Sequence, residues 1–309
     1  MSEGPSSSES ESESESESIP NPTGARAPVL VIENDPSDPI GRLGQWLSTA
    51  GVNLQVRRPY ARPADDGLDP AALAGYSGLI VMGGEQGAYD DELAPWLPRL
   101  RALLREAVRI ELPTLGICLG GQLLAVSAGG RVQPAAEPEY GAQLIAKRQA
   151  AVSDPLFGAL PITPDVLQWH VDEITQLPPG ALLLASSPVC EVQLFRVGRL
   201  AWGTQFHVET DPATVRRWAE ADEAELDGYD LPRLLARAEM MHPQIAETWR
   251  PIAETFVGIL DDPQRLAGPR SLPLAGRGPE HTAGPITDPA AIRAALAAEM
   301  QAARGPHGH

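Results

Sequence analysis

The sequence predicts an α/β protein with an open, mostly parallel sheet flanked by helices, a small antiparallel element and C-terminal helices. In the first half, short and continuously apolar runs typical of buried parallel strands alternate with amphipathic helical patterns. From Gly129 onward, short strands separated by turns replace this alternation, and helical patterns return between positions 213 and 260. Alternating strands and helices favour a parallel sheet with right-handed crossovers, so we expect helices on both of its faces.

Four apolar runs are the predicted parallel strands. Asp38 is the predicted N-cap of the first helix, whose apolar residues recur at helical spacing until Gly51 ends it. A short helix is expected at 70–74 and a long amphipathic helix at 92–110. The strands themselves are predicted at 28–33, 53–56, 78–82 and 113–117.

The second half contains shorter elements, of which the last two strands are expected to pair antiparallel across the turn Val197-Gly198-Arg199. Two helices are predicted at 213–226 and 231–260, with Pro243 as a helix start or a break and Trp249 packed on the domain. The predicted strands are 131–133, 142–146, 165–169, 181–186, 192–197 and 200–206.

Both ends of the chain differ in composition from the middle. Residues 2–18 are almost pure Ser-Glu alternation with no apolar surface to bury, so we expect residues 1–25 to be a disordered tail. Residues 26–262 are the predicted folded domain, and residues 263–309 are a Pro/Gly/Ala-rich tail with one short helix expected at 289–303.

Charge and cysteine usage exclude several classes of function. The formal net charge of −17 disfavours binding to nucleic acid or to an anionic membrane. Two cysteines do not make a disulfide framework, no apolar run is long enough to span a membrane, and the acidic N-terminus does not resemble a signal peptide. We therefore expect a cytoplasmic protein without membrane or nucleic-acid partners, and we expect no metal site and no cofactor.

The most informative stretch runs from Leu115 to Gln122, where the fourth predicted strand turns into a helix at Cys118. Gly116 and Gly120 flank the cysteine, which allows a sharp turn and leaves the sulfur unshielded. A helix N-terminus favours a thiolate, so Cys118 is a candidate nucleophile. The alternative is a small buried residue in a glycine-rich turn.

A cysteine nucleophile needs a base and a group that orients the base. His207 and Glu209 supply both, because residues two apart at the end of an extended strand point to the same side, although a surface His-Glu pair is the alternative. Gly84 follows the third strand, and its N–H could form an oxyanion hole with that of Leu119, unless Gly83-Gly84 is an ordinary turn. Together these signals indicate acyl transfer.

These motifs, Gly116-Ile117-Cys118-Leu119-Gly120-Gly121-Gln122 and Gln205-Phe206-His207-Val208-Glu209, resemble the class I glutamine amidotransferase family. The resemblance is closest to stand-alone members similar to the amidotransferase domain of GMP synthase, and it covers about 28–211 well. It implies a flavodoxin-like layering, a Cys-His-Glu triad and oxyanion N–H groups from Gly84 and Leu119. It further implies substrate-binding positions at Gln122, His170 and Asp172.

The resemblance implies hydrolysis of glutamine to glutamate and ammonia, with glutamine or another γ-glutamyl amide as substrate and a synthase partner in trans. Glu85 and Val208 stand where the family often has proline, but neither change removes a catalytic side chain. No Gly-rich phosphate loop followed by Lys is present, so the synthase chemistry is not expected in this sequence.

Two other functions remain open, a γ-glutamyl peptidase that uses the same residues and a catalytically silent regulatory subunit. His170 and Asp172 could alternatively be a second acid-base pair or structural residues of a loop. Cys190 lies among apolar residues and is expected to be buried in the core.

Overall fold

The computed structural model describes residues 26–62 and 67–264. The predicted Ser-Glu tail, the predicted helix at 289–303 and most of the predicted C-terminal tail lie outside these ranges. The predicted domain bounds therefore stay predictions at both ends.

The described residues form one eight-stranded sheet and one two-stranded sheet. In the large sheet, β2, β1, β3, β4 and β10 run parallel in that order, and β9, β8 and β6 extend it antiparallel. This confirms the predicted fold class. The strands are β1 Val29–Ile32, β2 Leu54–Arg57, β3 Gly78–Val81, β4 Thr114–Ile117, β5 Arg131–Leu144, β6 Ala146–Lys147, β7 Asp165–Gln176, β8 Leu182–Ser186, β9 Leu194–Val197 and β10 Ala201–Thr204.

Helices cover both faces of the large sheet because successive residues of each buried strand point to opposite sides. On β1, Val29 and Val31 pack in one apolar cluster, and Leu30 and Ile32 pack in the other. The first cluster also receives α1 and α5, and the second receives α2 and α3. The helices are α1 Gly41–Thr49, α2 Leu97–Arg109, α3 Leu119–Ser127, α4 Pro212–Ala221 and α5 Leu231–Asp261.

The small sheet pairs β5 with β7 in antiparallel register, and an isolated bridge between Leu167 and His207 joins β7 to the segment that follows β10. The sequence predicted two short strands at 131–133 and 142–146, but the structure contains one longer strand with an irregular register between Pro134 and Glu139. The apolar pattern is interrupted there because β5 has mostly exposed or half-buried residues up to Glu137.

Three further predictions need correction. The prediction that Asp38 caps α1 is wrong, because Ile40 is the N-cap residue and no side chain caps this helix. The helix predicted to begin at 92 begins at Leu97, after a series of turns. Pro243 neither starts nor breaks a helix, since α5 continues through it.

The packing of Trp249 in the core is confirmed. No helix in the described ranges combines the length and the apolar character needed to cross a membrane.

Two helical glycines provide a matched test of this packing. A Cβ at Gly120 would lie 2.0 Å from the backbone oxygen of Val81, whereas a Cβ at Gly258 would meet nothing within 4 Å. We expect Gly120→Ala to lower the free energy of unfolding by about 1–3 kcal/mol through overpacking. Gly258→Ala should raise it by about 0.5–1 kcal/mol, because alanine is the better helix former. Urea unfolding of both variants measures this, and equal effects would contradict the close contact of α3 with β3.

Candidate active site

Cys118 lies at the junction of β4 and α3, with no loop between the strand and the helix. Its backbone has φ 50° and ψ −111°, a conformation that is rare for a residue with a side chain. The surroundings hold it there, because its N–H donates to the oxygen of Thr204 at 2.8 Å and its own oxygen accepts from the N–H of Gln122 at 2.9 Å. A Cβ at Gly116 would lie 2.5 Å from the oxygen of Gly120, so the turn requires glycine on its strand side.

Cys118 is buried, at 7% exposure, and its sulfur faces polar groups. The amide Nε2 of Gln205 lies 3.7 Å from Sγ and can donate to it, and the backbone oxygen of Trp169 lies 3.9 Å away. Gln205 is in turn oriented by Gln122, whose Nε2 donates to Gln205 Oε1 at 3.2 Å. Sequence reasoning missed Gln205 as a neighbour of the sulfur, although it belongs to the motif that ends at Glu209.

His207 and Glu209 form a buried pair, with 2.6 Å between His207 Nδ1 and Glu209 Oε1. The other carboxylate oxygen of Glu209 accepts from the N–H of Val208 at 2.8 Å. The sequence predicted that the two side chains point to the same side because they end an extended strand, but β10 ends at Thr204. Instead, His207 is fixed by reciprocal backbone hydrogen bonds with Leu167 of β7, at 2.8 and 3.2 Å.

Charge interactions set the protonation of this pair. Burial lowers the pKa of the His207 imidazole, but the carboxylate of Glu209 and the neighbouring Cys118 raise it, and the resulting pKa is well above its usual range. Burial raises the pKa of Glu209, but the charge of His207 and its hydrogen bonds outweigh burial, so the pKa of Glu209 is lowered. Both pKa shifts favour the imidazolium-carboxylate form of the pair, in which Nε2 of the imidazolium can serve as a proton donor.

Gly84 and Leu119, the predicted oxyanion residues, line the same cavity as Cys118. Gly84 follows β3 and Leu119 begins α3, and neither N–H donates a hydrogen bond to another residue of the described ranges. The preceding Gly83 must lack a side chain, because its Cβ would lie 2.0 Å from Asp38 Oδ2 and 3.2 Å from His207 Cε1. Two free N–H groups beside a sulfur are the arrangement that can stabilise a tetrahedral oxyanion.

The cavity at this edge of the sheet has a volume of about 630 Å³, within the range typical of small-molecule sites. Cys118 and His207 both line it, and α4 and the small sheet form its outer wall. No Lys or Arg is among the described residues that line it, whereas several carboxylates are. These acidic residues are Asp38, Glu85, Asp90, Asp172, Asp222 and Glu225.

The three predicted substrate-binding residues lie together on one wall of the cavity. Gln122 Nε2 donates to the backbone oxygen of Asp172 at 3.2 Å, and His170 Nδ1 donates to the same oxygen at 2.9 Å. The carboxyl of Asp172 has a raised pKa because of burial and the nearby Asp90. The side chain of Gln122 thus ties α3 to β7, the strand that carries both His170 and Asp172.

His170 is more deeply buried than a freely accessible binding residue, at 5% exposure. Its Nε2 lies 3.1 Å from Glu139 Oε2, and Gln193 and Ser187 donate to the Glu139 carboxylate at 2.6 and 3.0 Å. Since both ring nitrogens are engaged, the imidazole holds the wall of the cavity in place. Its assignment to substrate binding stays a prediction.

Two clusters contain three potential metal-binding side chains each. In one, Glu139, His170 and Cys190 are already occupied by hydrogen bonds, and the Cys190 thiol lies 3.7 Å from the oxygen of Val192. Burial raises the pKa of this thiol strongly, so Cys190 is a buried neutral thiol as the sequence predicted. In the other, the 2.6 Å between His207 and Glu209 fits a shared proton rather than a cation. The predicted absence of metal and cofactor stays a prediction.

The fold and the site define a class, the α/β proteins in which a sharp strand-helix turn presents one side chain at the carboxyl edge of a mostly parallel sheet. A family model described as Glutamine amidotransferase class-I matches residues 42–218, which is more than half of the chain. The chain belongs to the class I glutamine amidotransferase family. This confirms the family resemblance of the sequence motifs.

Two individual relatives show the same family resemblance. The chain is 32% identical over 169 residues to one subunit of the glutamine-hydrolyzing GMP synthase of Thermoplasma acidophilum, covering 54% of this chain and 80% of the relative. It is 37% identical over 141 residues to glutamine-hydrolyzing GMP synthase of Porphyromonas gingivalis, covering 45% of this chain but only 26% of the relative.

Solved structures of two other proteins have the same fold. A glutamine amidotransferase from Thermotoga maritima is 28% identical, with a TM-score of 0.65 and coverage of 77% of this chain and 99% of that one. A glutamine amidotransferase from Methylobacillus flagellatus is also 28% identical, with a TM-score of 0.68 and coverage of 75% and 95%. The similarity therefore extends over nearly the whole of each neighbour.

The charge of Glu209 is expected to control the titration of His207. In Glu209→Gln the pKa of His207 should fall, because burial then opposes the imidazolium without the carboxylate that outweighs it. In the unmodified protein, the raised pKa of His207 means that its protonation contributes stability that is fully present below the unfolded-state pKa of about 6.5, as long as Glu209 stays ionised. This contribution disappears as the pH rises through the higher folded-state pKa.

Imidazole NMR resonances of His207, followed across pH, measure this shift. Glu225→Gln is the matched control, because Glu225 lines the cavity but is exposed and does not face His207. An unchanged pKa of His207 in Glu209→Gln would show that the carboxylate does not set the protonation of the imidazole.

Proposed function

We propose that the protein hydrolyses the γ-amide of glutamine through a thioester on Cys118, releasing ammonia and then glutamate. The observation that carries this proposal is the position of the Cys118 sulfur, at a strained strand-helix turn and in the same cavity as the imidazole of the His207–Glu209 pair. Membership of the class I glutamine amidotransferase family supports the same chemistry.

In the first step, the thiolate of Cys118 attacks the amide carbon of glutamine, and the carbonyl oxygen becomes an oxyanion that accepts from the N–H groups of Gly84 and Leu119. The imidazolium of His207 gives its proton to the amide nitrogen, the C–N bond breaks, and ammonia leaves. A thioester between Sγ and the γ-carbonyl carbon remains. Glu209 stabilises the charged form of the imidazole, which favours the thiolate-imidazolium state before attack.

In the second step, neutral His207 removes a proton from water, and the hydroxide attacks the thioester carbon. The C–S bond breaks, which regenerates the thiolate of Cys118 and releases glutamate. We assign Gln122, His170 and Asp172 to the wall that surrounds the glutamyl group. The acidic side chain of Asp172 is suited to a substrate ammonium group.

We infer that the ammonia acceptor belongs to a synthase partner, because two relatives of this chain are each described as a single subunit of a GMP synthase. We infer the acceptor from the subunit relatives alone, because the chain spans only about a quarter of the other GMP synthases that it matches. A free catalytic thiol is suited to the reducing cytoplasm, which is where we place the protein.

A second substrate class is favoured by the size of the cavity. Its volume of about 630 Å³ leaves space beyond the glutamyl group for the leaving group of a γ-glutamyl peptide or amide. The chemistry at Cys118 would be the same, with an amine leaving in place of ammonia.

Removal of the proposed nucleophile is the direct test of the mechanism. Cys118→Ala should lower the rate of glutamate formation from glutamine by at least about 10³-fold, because no thioester can form. Cys190→Ala is the matched control, since it removes the other, buried thiol and should keep activity within about threefold. Enzyme-coupled detection of glutamate measures both rates.

The same assay with γ-glutamyl peptides identifies the leaving group. A higher kcat/KM for glutamine than for the peptides supports the amidotransferase assignment, and the reverse supports the peptidase. Equal rates for Cys118→Ala and the unmodified protein would contradict both. Complete inactivity toward every substrate, with or without a synthase, would leave a silent regulatory subunit as the function.

A further inference from the structure

Asp38 lines the cavity beside the His207–Glu209 pair, but its carboxyl oxygens are buried and the mechanism above does not use them. It belongs to the loop between β1 and α1 and is 3% exposed. The loop is fixed around it, because Ile40 N donates to Glu33 Oε1 at 3.0 Å and Trp218 Nε1 donates to the oxygen of Ser37 at 3.1 Å. These contacts hold the backbone on both sides of Asp38.

Neither carboxyl oxygen of Asp38 accepts a hydrogen bond from a described residue, although both are buried. An ionised carboxylate in such a place lacks the donors that normally compensate for loss of water. By contrast, Glu209 accepts from His207 and Val208, and Asp35 accepts from Ser37 N at 2.8 Å and Gln86 Nε2 at 3.4 Å. Asp38 differs from both of these neighbouring carboxyl groups.

The groups that face Asp38 are His207, Glu209 and Asp35. One oxygen of Asp38, one oxygen of Glu209 and a ring nitrogen of His207 all lie within 4.8 Å of one another. The imidazolium is the only cation among these groups, and its Nδ1–H already donates to Glu209 Oε1, with 2.6 Å between the two heavy atoms. Two neighbouring carboxyl groups beside one cation that is already paired share a proton, because both cannot be ionised at low cost.

We propose that Asp38 is a neutral carboxylic acid whose O–H donates to Glu209 and thereby positions that carboxylate against His207. Glu209 then accepts from three donors, which are His207 Nδ1, Val208 N and the Asp38 hydroxyl. The pKa of Asp38 is consistent with this, since burial raises it, His207 lowers it, and Glu209 and Asp35 raise it to well above its usual range. Asp38 acts through Glu209 and is a positioning residue.

Asp38→Asn is the decisive variant, because asparagine keeps a donor toward Glu209 and carries no charge. If Asp38 is neutral, this variant leaves the pKa of His207 unchanged in an NMR titration. If Asp38 were ionised, loss of its negative charge would lower the pKa of His207 by about one unit or more, and the proposal would be overturned.

Infrared spectroscopy tests the proton directly. The spectrum of the unmodified protein minus that of Asp38→Asn at neutral pH should contain the carbonyl stretching band of a protonated carboxylic acid. The same difference for Asp35→Asn should lack this band, because Asp35 accepts two hydrogen bonds. Absence of the band from the Asp38 difference would overturn the proposal.

Kinetics test the positioning role, and only this readout rests on the proposed function. Asp38→Ala should lower kcat by about 10-fold with little change in KM, because one donor to Glu209 is lost. Asp38→Asn should restore kcat to within about threefold and keep the pH profile. Equal kcat losses in the two variants would overturn positioning by the donor. If no substrate is hydrolysed, the NMR and infrared results still decide the state of Asp38.

Discussion

The backbone of Cys118 is the constraint on which the rest of the site depends. A residue with a side chain at φ 50° is strained, and the strain persists only because the neighbouring backbone leaves no alternative. The oxygen of Thr204 on β10 holds the N–H of Cys118, and α3 begins at the next residue. The sulfur is thereby presented at the carboxyl edge of the sheet, at the N-terminus of a helix.

The sheet order explains why the other groups meet at this sulfur. Because β4 lies between β3 and β10, the segments that follow these three strands leave the sheet side by side. Gly84 follows β3, Cys118 follows β4, and His207 follows β10. The small sheet then closes the cavity from outside, since Leu167 of β7 fixes the backbone of His207. The fold thus supplies the convergence, and local hydrogen bonds supply the orientation.

The sequence was sufficient for features that depend on nearby residues. The buried parallel strands, the glycine-flanked turn at Cys118 and the pairing of His207 with Glu209 all follow from short patterns. Features that depend on distant residues were missed or misread. Asp38 looked like a helix cap because aspartate is common there, and only the packed structure brings it to Glu209.

The second sheet was incompletely predicted for a similar reason. Its strands β5 and β7 are held by long-range pairing across an exposed, irregular stretch, and such pairing leaves little apolar periodicity in either strand. The contact of Gln205 with the sulfur also arises only once β10 lies beside β4.

The most direct test of the central claim is a crystal structure of the protein after reaction with a glutamine analogue in which an electrophilic ketone replaces the γ-amide. We predict a covalent bond to Cys118 Sγ, with the backbone still at positive φ and the former carbonyl oxygen about 3 Å from the N–H groups of Gly84 and Leu119. Reaction at Cys190, or an adduct whose oxygen points away from both N–H groups, would contradict the account.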